Sequence, residues 1–317
     1  MTDALLAETR AFNAELERRL AAEPSVMEAG AVETRRRRRA GEGTFPAPVY
    51  LPEARDLTAP GPGGPVGLRV VMPAGEPTGV YVHLHGGGWV LGAGDMQDPL
   101  LAEVAATTGL AAVSVDYRLA PEHPYPAGPD DCEAAALWLL ERGAEELGAP
   151  RRLAIGGESA GAHLSVVTLL RLRDRHGITG AFLAANLVYG AYDLSGTPSQ
   201  RLWGDRDLVL STPIIAWFGD QFLPGVDLEA RRDPDISPLY ARLHDLPPAL
   251  FTVGTLDPLL DDSLFMEARW RAAGHRTDLR IFDEGVHGFA TQPMGIAGAA
   301  REVAGAFLRE QLSALEA

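Results

Sequence analysis

Apolar positions change their spacing several times along the chain, and each change marks a new element. Leu5, Phe12, Leu16 and Leu20 fall close to one helical face, so residues 1–40 read as helical. Pro24 interrupts that stretch, and Ser25 with Glu28 then has the spacing of a capping box that opens a second helix. From Pro46 the pattern becomes that of strands. Residues 46–51 and 66–73 predict a hairpin, with Pro60-Gly61-Pro62-Gly63-Gly64-Pro65 as its turn region. Short apolar runs follow at 80–84, 111–115, 153–155, 181–189, 249–253 and 279–282. Helix-like stretches such as 131–147, closed by Gly148, and 161–171 separate most of them. Strand alternating with helix implies a mainly parallel sheet covered on both faces. The interval 190–247 breaks this rhythm: it has no clear strand and carries Trp203, Trp217, Phe218 and Phe222 among charges and prolines. So long an interval between sheet strands reads as an inserted substructure whose aromatics form its core or line a pocket.

Composition narrows the class. With 317 residues, 46% of them hydrophobic and 22% charged, the chain can bury a large core without metal or disulfide staples. Cys132 is its single cysteine, so no intrachain disulfide can form, which fits a reducing compartment. The net charge of -15 argues against a nucleic-acid partner, which needs a basic face. The run Arg35 to Arg39 is an exception in sign; in an acidic chain it reads as a solvated helix end rather than an anion site. The first residues lack the basic and apolar regions of a signal peptide, and no apolar run would span a bilayer. The expectation is a cytoplasmic protein without stable membrane association, a monomer or a homodimer.

Candidate chemistry sits at the ends of the predicted strands. Gly157-Glu158-Ser159-Ala160-Gly161 follows the strand at 153–155 and opens a helix. A sharp strand-to-helix turn would lift the serine oxygen clear of the sheet, with glycines where side chains would collide. The helix N-terminus adds free N–H groups and a positive partial charge. Upstream, His85-Gly86-Gly87-Gly88-Trp89 follows the strand at 80–84. Its glycines let backbone N–H groups approach an oxygen closely, so Gly86, Gly87 and Ala160 are the expected oxyanion donors, with His85 holding the glycine loop. His83 and His85 lie two apart, but no Asp, Glu or Cys cluster accompanies them at ligand spacing, and neither a metal nor another cofactor is expected.

A serine nucleophile needs a base, and the base an orienting acid. Asp257 and His287 each follow a predicted strand, and the order Ser159, Asp257, His287 suits the arrangement. Asp261 and Asp262 fall in a helix's first turn, where dipole compensation accounts for them. Asp283 and Glu284 read as loop carboxylates, and His123, His163, His244 and His275 as structural or surface residues.

Together, the segments 85–89, 116–127, 157–161, 257–259 and 287–289 resemble the motifs of the hormone-sensitive-lipase-like esterases, the bacterial family IV group, in order from about residue 46 onward. The resemblance implies an α/β-hydrolase fold: a mainly parallel eight-stranded sheet flanked by helices, with a helical cap. The cap would be residues 1–45 together with an insertion at about 190–247, and residues 46–317 would form the catalytic domain. It implies metal-free hydrolysis of short-acyl esters of small molecules, with Ser159, Asp257 and His287 as triad and Gly86, Gly87 and Ala160 as oxyanion donors. Residues 116–127 would be a structural brace in which Arg118 meets Asp130 or Asp131. His85, Gly88 and Glu158 would support the site. Two departures stand out: Ala162 where many members have a second glycine, and Glu158 in place of the commoner aspartate. The same triad would also serve an amidase, deformylase or carbamate hydrolase. A non-catalytic binding relative would usually lack one of its members.

Overall fold

The structure is a computed structural model that describes residues 2–313, the side chain of Ala144 excepted. Met1 and residues 314–317, which fall within the domain boundaries expected from sequence, lie outside the described residues. Two helices come first, α1 (Asp3–Leu20) and α2 (Val26–Ala40). Ser25 caps α2 through the capping box expected from its spacing with Glu28. Leu16 of α1 is buried, and Leu5, Phe12 and Leu20 pack beside it on Phe289 and Ile296, so the apolar stripe faces the body of the protein.

Strands β1 (Arg55–Gly61) and β2 (Gly64–Val71) form the expected hairpin around Pro62-Gly63. The first strand, however, lies at 55–61 and not at 46–51. Pro46 and Pro48 have no N–H to give to a ladder. That segment instead runs as irregular backbone, with the Leu51 N–H on Asp98 and the Tyr50 hydroxyl on Arg39. Beyond the hairpin come β3 (Val80–Leu84), α3 (Asp98–Thr108), β4 (Ala111–Asp116), α4 (Ala127–Leu147), β5 (Leu153–Glu158), α5 (Ala160–His176) and β6 (Phe182–Val188). An insertion holding α6 (Pro198–Leu202) and α7 (Thr212–Phe222) follows. The chain then closes with β7 (Ala249–Leu256), α8 (Leu260–Ala272), β8 (Thr277–Val286) and α9 (Gly295–Ser313).

The eight strands form one sheet in the order β1-β2-β4-β3-β5-β6-β7-β8. β2 alone runs against the rest, so β1 and β4 pair with it antiparallel, and β4, β3, β5, β6, β7 and β8 are parallel. Helices cover both faces, so β3 is buried along its whole length and β4 and β5 along all but their last residue, which is why they read as unbroken apolar runs. Parallel pairing places the C-terminal ends of β3 to β8 on one edge of the sheet, the edge where α/β sheets carry their sites.

Candidate active site

Ser159 occupies the turn between β5 and α5 with φ 57° and ψ -118°, a backbone conformation that a non-glycine residue rarely holds. The glycines on either side make it possible. A Cβ at Gly157 or at Gly161 would run into the Leu84 carbonyl at the end of β3. The Ser159 N–H donates to the Val188 carbonyl at 2.9 Å, tying the turn to β6.

β7 and β8 bring up the other two groups. Asp257 follows β7 directly and His287 follows β8 directly. His287 Nδ1 lies 2.9 Å from Asp257 Oδ2, and His287 Nε2 lies 2.8 Å from Ser159 Oγ. A carboxylate can only accept, so Nδ1 carries the proton and Nε2 is left as acceptor for the serine O–H. The second Asp257 oxygen accepts the Leu259 N–H at 2.8 Å, which fixes the carboxylate plane. Both Asp257 and His287 are buried, and the imidazole packs edge-on against Tyr189.

The glycine loop after β3 lies against the same turn. A Cβ at Gly86 would sit 2.8 Å from the Glu158 carbonyl, so only glycine lets the loop come this close. Gly87 has φ +125° and its carbonyl accepts the Val90 and Leu91 N–H groups, which turns the loop back on itself. His85 does hold the loop: its ring stacks on Tyr117 at 4.3 Å and its Nδ1 donates to the Gly86 carbonyl at 2.9 Å. Burial lowers the pKa of His85, which keeps the ring neutral. Gly88 rests on the Phe218 ring from the insertion.

The remaining candidates have other partners. His83 spans Ser114 (3.0 Å) and the Glu158 carboxylate (3.1 Å), so the two β3 histidines serve separate contacts. Its tie to Glu158 was not legible in sequence, because it depends on the register that sets β3 beside β5. His163 accepts from Trp89 Nε1 and donates to the Ile236 carbonyl, and burial lowers its pKa to about 4, as suits a packed neutral histidine. Arg118 forms a two-pronged pair with Asp131 at 2.8 Å, whereas Asp130 turns to Arg171.

Three readings of single residues change. Asp262 does more than offset a helix dipole: fully buried, it accepts from the Tyr192 and Asp193 N–H groups, Thr197 and Gln200. Asp283 and Glu284 are not in a loop, since β8 runs through Val286; Glu284 pairs with Arg10 of α1 at 2.9 Å. The run 35–39 is not a solvated end either, because Arg35 reaches Glu122 and two backbone carbonyls across the fold.

Ser159, His287, Gly86 and Gly87 open onto a cavity of about 1090 Å³. Phe12, Leu16 and Leu20 of α1 line it from one side, and Leu210, Ile214 and Phe218 of the insertion from another.

A family model described as an α/β-hydrolase fold matches residues 81–291, more than half of the chain, including Gly86, Gly87, Ser159, Asp257 and His287. The chain belongs to this family. Within it, the relatives are the hormone-sensitive-lipase-like esterases. The carboxylic ester hydrolase LipN of Mycobacterium tuberculosis is 39% identical over 77% of this chain and 66% of its own length. The carboxylesterase NlhH of the same organism is 36% identical over 70% of this chain and 69% of its own. The match thus spans about two thirds of each curated relative. A hyperthermophilic esterase from Pyrobaculum calidifontis superposes with a TM-score of 0.83 at 29% identity, covering 95% of this chain and 97% of that one.

Proposed function

We propose that this α/β hydrolase cleaves short-acyl esters of small molecules through an acyl-enzyme, with Ser159 as nucleophile, His287 as general base and Asp257 as its orienting acid. The observation that carries the reading is the His287 ring spanning Ser159 Oγ at 2.8 Å and Asp257 Oδ2 at 2.9 Å at the wall of a large cavity. Ser159 attacks the ester carbonyl while Nε2 of His287 takes its proton. Asp257 holds the tautomer and stabilises the imidazolium. The N–H groups of Gly86, Gly87 and Ala160 receive the oxyanion, each contributing about 3–4 kcal/mol in favourable cases. His287 then protonates the leaving alcohol, and water repeats the sequence on the acyl-enzyme.

In this reading residues 1–45 and the insertion at about 190–247 form the cap of the catalytic domain 46–317. The placement of α1 and α7 residues around the cavity supports it. We place the protein in the cytoplasm as a monomer or homodimer that needs no nucleic acid or membrane. Supporting this, no described helix is long and apolar enough to cross a membrane, and the one thiol is buried with its pKa pushed up.

The test is hydrolysis of p-nitrophenyl acetate, butyrate, octanoate and palmitate by wild type and Ser159→Ala. Activity should peak on the short chains and fall at least about a thousandfold in the variant. A folded wild type inert on all four would sink the ester reading and turn the search to amides and carbamates.

A further inference from the structure

Five consecutive arginines, Arg35 to Arg39, end α2, and four of them are bound to carboxylates. Arg35 holds Glu122, Arg36 holds Glu33 and Glu42, Arg37 holds Glu23, and Arg39 holds Asp95. Arg38 makes no ion pair among the described residues, and its guanidinium lies over the Phe45 ring, 4.6 Å from the centroid. It lines the same cavity as Ser159 and His287. The residue as a whole is half-buried.

Among the described residues, no carboxylate that lines the cavity pairs with Arg38. Of the carboxylates lining the cavity, Glu15, Glu23, Glu42 and Glu103 are each paired with an arginine, Arg18, Arg37, Arg36 and Arg301, and Glu158 lies 3.1 Å from His83. Asp207, on the insertion, accepts the Val209 N–H, and its Oδ1 is sealed away without a partner. Arg19 adds a second guanidinium without an ion pair among the described residues, reaching the Gly43 carbonyl at 3.3 Å. Desolvation without a counter-charge pulls the Arg38 pKa down to about 10, still charged at neutral pH. A desolvated, unpaired cation costs folding energy unless something completes it. A helix-end arginine needed only for the dipole could turn to solvent like its neighbour Arg36.

We propose that Arg38 is a specificity-determining residue that receives a carboxylate on the substrate, so that the favoured esters are anionic ones, such as half-esters of dicarboxylic acids. The planar guanidinium matches a carboxylate in a two-pronged contact, and the Phe45 ring holds its plane in place. The proposal rests on the ester-hydrolase reading of the same cavity. It explains how one arginine of a structural run comes to be left over, and why the leftover one faces the catalytic chamber.

The test compares kcat/KM for mono-p-nitrophenyl esters of glutaric, adipic and suberic acid with p-nitrophenyl butyrate, hexanoate and octanoate. The enzymes are wild type, Arg38→Met and Arg38→Lys. For at least one chain length, Arg38→Met should lower the ratio of anionic to neutral kcat/KM about tenfold, mainly through KM, and Arg38→Lys should recover part of it. An unchanged ratio at every length overturns the proposal while leaving the esterase intact. If no ester is turned over at all, the hydrolase reading fails separately. Titration with suberate, followed by calorimetry, then decides: binding that weakens about tenfold in Arg38→Met supports the anion site, and equal or absent binding overturns it.

Discussion

Asp257 and Gly161 show how much a single atom decides in this site. In Asp257→Asn the amide offers a donor or a turned carbonyl where His287 Nδ1–H needs an acceptor. The imidazole would then favour the wrong tautomer. Steady-state kinetics on p-nitrophenyl acetate should show kcat lower by about 10⁴-fold with the fold intact. Gly161→Ala acts through shape instead. Its methyl has no space beside the Leu84 carbonyl, so urea unfolding should show a loss of about 1–3 kcal/mol or more, together with lower activity. Residues of this kind were legible in sequence because each one stands at a strand end in a local pattern of glycines. His83 and Arg38 were not. Their roles come from what lies across the fold, Glu158 for one and an open chamber for the other, and no local pattern encodes that.

At the scale of elements, two buried clusters join the insertion to the body. Arg171 of α5 binds Asp130 and Glu133 of α4 and Asp235 of the insertion. Arg171→Met would take the shared guanidinium from all three carboxylates, leaving Arg175 and His176 on Glu133 and Arg175 on Asp235, and denaturant unfolding should show a loss of about 3 kcal/mol. Asp262 of α8 gathers four donors from residues 192–200. Those donors favour its anion, but full burial outweighs them and raises the pKa from 3.8 to about 7. Folding therefore takes up a proton there. This contribution is fully present below pH 4 or so and is lost as pH rises through about 7, at a slope of at most about 1.4 kcal/mol per pH unit. Thermal unfolding of Asp262→Asn should show a flatter pH profile in that window than wild type. Sequence placed α8 and its acidic first turn correctly, yet a carboxylate at a helix start looks the same whether it faces water or a buried segment.

The whole molecule is strongly acidic, with a net charge of -15 and its one basic run almost wholly consumed by internal pairs. It should pass through a heparin column at low salt without retention, a direct check on the absence of a basic face. The parallel sheet was readable because buried strands and amphipathic helices have distinct periods. The hairpin's first strand was misplaced because 46–51 looks extended while its prolines deny it a ladder, and the strand that does pair, 55–61, carries charges and a glycine. The apolar stripe of α1 was legible as a face to be buried, but the polar ties that fix where the N-terminal helices dock, such as Arg10 to Glu284 and Arg35 to Glu122, reach distant elements and have no local signature.

One of those ties reaches further than anchoring. Arg10 and Asn13 of α1 grip the side chain and the carbonyl of Glu284, three residues before His287. One wall of the cavity and the base proposed above thus share one strut. A force that lifted the first helix would therefore pull on the strand that carries the imidazole, so displacing this wall would also misalign the proposed base.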